Sequence, residues 1–146
     1  MVYNKFVLQP VLGIFFSLVF FGSCTLFASR EYDLSEPFVD VITSRVGVAL
    51  GVESAEFVLE GYFSGYGRLF LSYRELNHTE FYYELARRGQ GIKIEGTIDY
   101  CFVQPWYLDS VGVLFFPIEA GEGRLRVRFR RGGSPSPDMR APWYDP

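Results

Sequence analysis

The sequence predicts an all-β fold: an antiparallel β-sandwich of about seven strands, with a small meander β-barrel as the alternative. Three observations lead there. Apolar side chains recur with a period of two from Val46 to Phe129. Turn-forming residues break these runs at near-regular spacing. No helical period fills the gaps, which argues against parallel βαβ units.

The N-terminal stretch stands apart. Val11 to Ala28 carries no charge, and Lys5 is the only charged side chain before Arg30. A short basic start, an apolar centre and small residues at its end make a secretory signal, here residues 1–23. Eighteen apolar residues can also just span a bilayer, so a retained single-span anchor is the alternative.

The end of that run, Phe21-Gly22-Ser23-Cys24, resembles the lipobox of bacterial lipoproteins. Gly22, Ser23 and Cys24 match the pattern, whereas Phe21 stands where the family usually has Leu or another aliphatic residue. The resemblance covers the signal alone. It implies cleavage before Cys24, diacylation of that cysteine and an export route ending at a membrane surface. Each buried acyl methylene contributes roughly 0.8 kcal/mol, so two or more chains anchor stably. The competing cleavage site follows Ala28, but large Leu26 fits the small-x-small rule poorly. Either cut leaves Cys101 as the one remaining thiol, so no internal disulfide is expected. A buried, inert Cys101 is the simpler reading and a bridge between two copies the other.

Removal of 1–23 leaves 123 residues, enough for a core of their own. Residues 24–37 read as a polar tether. Phe38 to Ile42 fits a helix face or, being β-branched, a strand, and is left open. The β domain is expected over 38–131. Its alternating runs are Val46–Val52, Phe57–Phe63, Leu69–Tyr73, Phe81–Leu85, Ile92–Ile98 and Leu125–Phe129. Between them lie Ser64-Gly65-Tyr66-Gly67, Leu76-Asn77-His78, Arg88-Gly89-Gln90-Gly91, Leu108-Asp109-Ser110 and Ala120-Gly121-Glu122-Gly123, read as turns. Val111 to Ile118 is apolar at every position but one glycine and one proline, so it is expected to be central or covered on both faces. Pro117 should mark its end or a bulge. Residues 132–146 are Pro-rich and read as a flexible tail, with Trp143 and Tyr144 packing back or meeting a partner.

Two features suggest contact surfaces. Arg124, Arg126, Arg128 and Arg130 share one face of a strand at intervals of about 6.7 Å. Neighbours in such a row repel by about 0.6 kcal/mol in water, and their forked donors suit carboxylate or phosphate. The row either binds lipid headgroups, an acidic envelope polymer or an acidic partner, or it pairs across strands with Glu95, Asp99 or the Glu56/Glu60 row. Glycine-flanked Tyr62 and Tyr66, together with Trp106 and Tyr107, are aromatic surface candidates; core or edge packing is their alternative.

The formal net charge of -3 argues against nucleic acid as a partner. Asn77-His78-Thr79 is a glycosylation sequon, without meaning in a bacterial lipoprotein. His78 is the only histidine, and neither a P-loop, HExxH nor CxxC is present. No metal, cofactor or catalytic residue is therefore assigned. The sequence supports an exported, lipid-anchored envelope protein with a binding or structural role, membrane-anchored on the periplasmic or cell-surface side. A barrel-like carrier of a small apolar ligand is the alternative.

Overall fold

A computed structural model of the chain describes residues 27–44, 54–73, 78–132 and 138–142. The signal, Cys24, the Val46–Val52 run and Trp143 with Tyr144 lie outside the described residues. Six strands and one helix follow in the order β1 (Ala28–Asp33), β2 (Phe38–Thr43), β3 (Ser54–Ser72), α1 (Thr79–Arg87), β4 (Ile92–Pro105), β5 (Ser110–Glu119) and β6 (Gly123–Arg131). All strand pairs are antiparallel, in the order β1-β6-β3-β5-β2 with β4 also on β3. The fold is all-β: one six-stranded sheet nearly closed into a barrel rather than a sandwich of two sheets, although its strand order is not the expected meander, since β3 and β4 alone are both consecutive and paired.

The long β3 explains why one sheet suffices. Nineteen residues extend to about 60 Å, too long for one flat layer in a domain of this size. β4 follows one edge of β3 from Ser54 to Leu69. The opposite edge is shared in sequence, β6 on Ala55–Phe63 and β5 on Tyr66–Ser72. β1 then extends β6, and β2 extends β5. The links β1–β2 and β5–β6 meet a register shift in β3 between Phe63 and Tyr66. Leu34 N–H donates to Gly123 O, and Ser64 N–H to Glu122 O, both at 3.0 Å. The strands therefore bend together at one corner, and each half of the sheet folds over the other.

Glycine makes that corner possible. A β-carbon on Gly65 would stand 2.8 Å from Ala120 O, and one on Gly121 would enter the backbone of Gly65. Ser64-Gly65-Tyr66-Gly67 is thus no chain reversal but a bulge inside one strand. The same residues signal both, because each needs a backbone free of a β-carbon.

Alternation fills the interior. Phe57, Leu59 and Phe63 of β3, Ile94, Ile98 and Phe102 of β4, Val111, Val113 and Phe115 of β5, and Leu125, Val127 and Phe129 of β6 form one buried cluster with Trp106. Phe57 lies at its centre, with ring centroids 5.5 Å from Phe102, 5.1 Å from Trp106 and 5.3 Å from Phe129. The interior is thus packed with aromatic side chains.

Three segments differ from the sequence reading, and one left open there takes a definite form. Phe81–Leu85, expected as a strand, lies in α1: Tyr82 and Ala86, four apart, dock on Phe70, Leu114 and Phe116. Five residues are too few to separate the two periods, and the apolar outer face of β5 selects the helix. This also accounts for β5 being apolar on both faces, since Val113 and Phe115 meet the core while Leu114 and Phe116 meet α1. Pro117 lies at a register shift, as expected. Residues 28–33, read as part of a tether, form β1. Phe38 to Ile42, left open, lies in β2 (Phe38–Thr43). Within the stretch read as a flexible tail, Arg140 forms a two-way backbone bridge with Cys101, at 2.8 and 3.1 Å, and Ala141 packs on the core. That bridge covers part of the free edge of β4.

Candidate functional site

The four arginines predicted to share a face do so on β6, where residues 124–130 alternate exposed or half-buried arginine with buried Leu125, Val127 and Phe129. Their neighbours follow from register. β1 places Asp33 opposite Arg124 and Glu31 opposite Arg126. β3 places Tyr62, Glu60 and Glu56 opposite Arg124, Arg126 and Arg130. Three columns result, acidic, basic and acidic.

The arginines are paired. Arg124 and Arg126 each reach Glu31 at 3.4 Å, and Arg128 donates to Glu60 at 3.0 Å. Arg130 donates to Glu56 through both Nε (2.8 Å) and Nη2. Of the carboxylates expected to neutralise the row, Glu56 and Glu60 do so; Asp99 instead holds Arg140 at 2.8 Å, and Glu95 holds Lys93. Glu31 is the partner that sequence reasoning missed. Its signal was present, since Glu31 and Asp33 alternate with Tyr32, but a stretch read as a tether is not searched for a strand face.

Shelter varies along the row. Side-chain exposure falls from 80% at Arg124 to 56% at Arg126, 35% at Arg128 and 32% at Arg130. The ring of Phe27 covers the sheltered end, 5.3 Å from the Arg128 guanidinium and 4.6 Å from that of Arg130. Cys101 lies beside the same end, its Sγ 3.8 Å from Glu56 Oε1. Partial burial, then the Glu56 charge, push its thiol above the ordinary range.

The aromatic candidates separate. Trp106 is no surface residue: it is fully buried, donates Nε1–H to Ser110 O at 3.1 Å and stacks on Tyr73 at 3.9 Å. Burying an indole with its one donor satisfied costs little, so the apolar ring wins over exposure. Tyr66 is half-buried, with Arg68 and Lys93 over its ring at 5.2 and 5.8 Å. Tyr107 is exposed at the β4–β5 connection. Tyr62 is 55% exposed and lies directly beside Arg124. The structure thus joins one aromatic candidate to the most exposed arginine of the row.

Around that pair opens a polar recess lined by Asp33, Ser35, Tyr62, Ser64, Glu122, Gly123 and Arg124. Its walls are fixed. Ser35 N–H donates to Asp33 Oδ1 at 2.9 Å, a bond that holds the Asp33 carboxyl below its ordinary range. Glu122 N–H donates to Ser64 Oγ at 2.9 Å, and that hydroxyl donates to Glu122 O at 3.1 Å. A second recess, lined by Glu31, Glu60, Gly61, Arg124 and Arg126, shares Arg124 with the first. Among the described residues, no three His, Cys, Asp or Glu side chains gather as a metal-binding group. No family model, curated protein or solved structure matches this chain.

Proposed function

We propose that the chain is an exported envelope protein, anchored to a membrane surface by acylated Cys24, whose charged sheet face binds rather than catalyses. The observation that supports the anchoring is that Phe27 and Ala28 take part in the fold. Phe27 already covers Arg128 and Arg130, and β1 begins at Ala28. A cut before Cys24 spares all of this and leaves three residues, at most about 11 Å of chain, between the acyl group and Phe27. A cut after Ala28 would remove Phe27 and the first residue of β1. Of the two cleavage sites, the lipobox-like one leaves this end of the fold whole, which supports it, and it would hold the β1–β6 side close to the membrane.

The binding role rests on the same face. An arginine row neutralised by neighbouring carboxylates loses its appetite for bulk polyanion but keeps directional donors and acceptors at its open end. The test of the anchor is intact mass of membrane-extracted protein, wild type beside Cys24→Ala. The expected wild-type mass is residues 24–146 plus acyl groups, absent from the variant. An unacylated species beginning at Ser29, or a full-length one, would overturn it.

A further inference from the structure

We infer that the recess around Tyr62 and Arg124 is a binding site for a neutral oligosaccharide, which deepens the binding role proposed above. Register puts Asp33, Arg124 and Tyr62 side by side on three adjacent strands, with neighbouring Cβ atoms about 5 Å apart. The recess they share with Ser35, Ser64 and Glu122 has a volume of about 550 Å³. That lies within the range of small-molecule sites.

The groups match a pyranose. Its apolar C–H face stacks on an aromatic ring, and Tyr62 offers an exposed one. Its vicinal hydroxyls need donors and acceptors in one plane. Arg124 supplies donors: it meets Glu31 through a single nitrogen at 3.4 Å while its guanidinium carries five N–H groups. Asp33 and Glu122 supply acceptors. Asp33 is oriented by Ser35 N–H, and the Glu122 backbone is locked to Ser64, so the walls are set before a ligand arrives. Two carboxylates to one guanidinium disfavour an anionic sugar.

The adjoining recess extends the site. It holds about 240 Å³ and is lined by Glu31, Glu60, Gly61 and Arg126 beside Arg124; the missing β-carbon of Gly61 admits the Arg124 carbonyl of β6 and so holds the two strands together beneath it. Arg124 borders both, and Arg126 lies about 6.7 Å further along β6, a span comparable to one sugar unit. A chain of two or three sugars would thus run along β6.

The test uses the membrane-extracted protein in a sugar-free zwitterionic detergent. The probes are the β-1,4-linked tetrasaccharides of glucose and of N-acetylglucosamine, with polygalacturonate as the anionic comparison. Calorimetry should show saturable binding of at least one neutral probe. Tyr62→Ala and Arg124→Gln should each weaken it about tenfold, and Tyr107→Ala, which removes an exposed ring outside the recess, should leave it unchanged. Absence of binding to both neutral probes overturns the inference, as does binding that survives Tyr62→Ala. Polygalacturonate binding alone, lost with Arg124→Gln, would replace the neutral ligand by an acidic one. Repeating the titration with Cys24→Ala separates the site from the anchor: sugar binding should persist there whether or not the wild-type protein is acylated.

Discussion

The arginine row should be structural at one end and available at the other, and double-mutant cycles can measure the gradient. Arg130 and Glu56 are 32% and 17% exposed, are joined through two nitrogens and lie under Phe27. Arg124 and Glu31 are 80% and 46% exposed and joined through one nitrogen at 3.4 Å. An exposed pair couples by about 0.2–1 kcal/mol, because water screens the attraction and two long side chains lose freedom. A hydrogen bond to a charged group with partial shelter contributes about 1.5–3 kcal/mol. The Arg130→Gln/Glu56→Gln cycle should therefore give about 1.5 kcal/mol of coupling. The Arg124→Gln/Glu31→Gln cycle should give less than about 0.5 kcal/mol, the lower half of the exposed range, since Glu31 keeps Arg126 when Arg124 is lost. Urea unfolding of each set of four proteins, followed by aromatic fluorescence, supplies the energies. Equal coupling at the two ends, or stronger coupling at Arg124, would refute the division of the row.

Two further outcomes follow from packing and titration. Gly121→Ala should destabilise by about 3 kcal/mol, since the new methyl enters the backbone of Gly65. Gly96→Ala, with φ of +60° and open space around it, should cost only about 1 kcal/mol from backbone strain; similar losses in thermal unfolding would dismiss the corner contact. In Cys24→Ala protein Cys101 is the sole thiol, and iodoacetamide at pH 7.5 should modify it more slowly than an unstructured cysteine, with Glu56→Gln speeding the reaction. Because its folded pKa is raised, the contribution of Cys101 to stability is fully present below the unfolded value of about 8.5 and is lost as pH rises beyond it. Labelling at the free-thiol rate would count against the partial burial that raises it.

The period of two was decisive wherever a strand had one face in the core. Phe57–Phe63, Ile92–Ile98 and Leu125–Phe129 were legible because burial on one side and water on the other write an alternating pattern into any strand. The outward arginines were legible for the same reason, and β5 for the opposite one: covered on both faces, it carries no alternation. What local pattern could not carry was decided by contacts between distant segments. The period of Phe81–Leu85 is ambiguous until the outer face of β5 offers Leu114 and Phe116 to a helix. Whether glycines at 64–67 reverse a strand or bend it depends on Gly121, more than fifty residues away, arriving at Gly65. Trp106 could as well have been a surface ring as a core one until Phe57, Tyr73 and Phe129 closed around it. The recess itself belongs wholly to this second class. Asp33, Tyr62 and Arg124 come from three strands, and only antiparallel register, an agreement among hydrogen bonds spanning up to 101 positions of chain, sets them side by side. Within the alternating strands, sequence alone therefore determined which side chains point outward, because alternation is local. Tertiary structure alone determined which of them meet, because register is not.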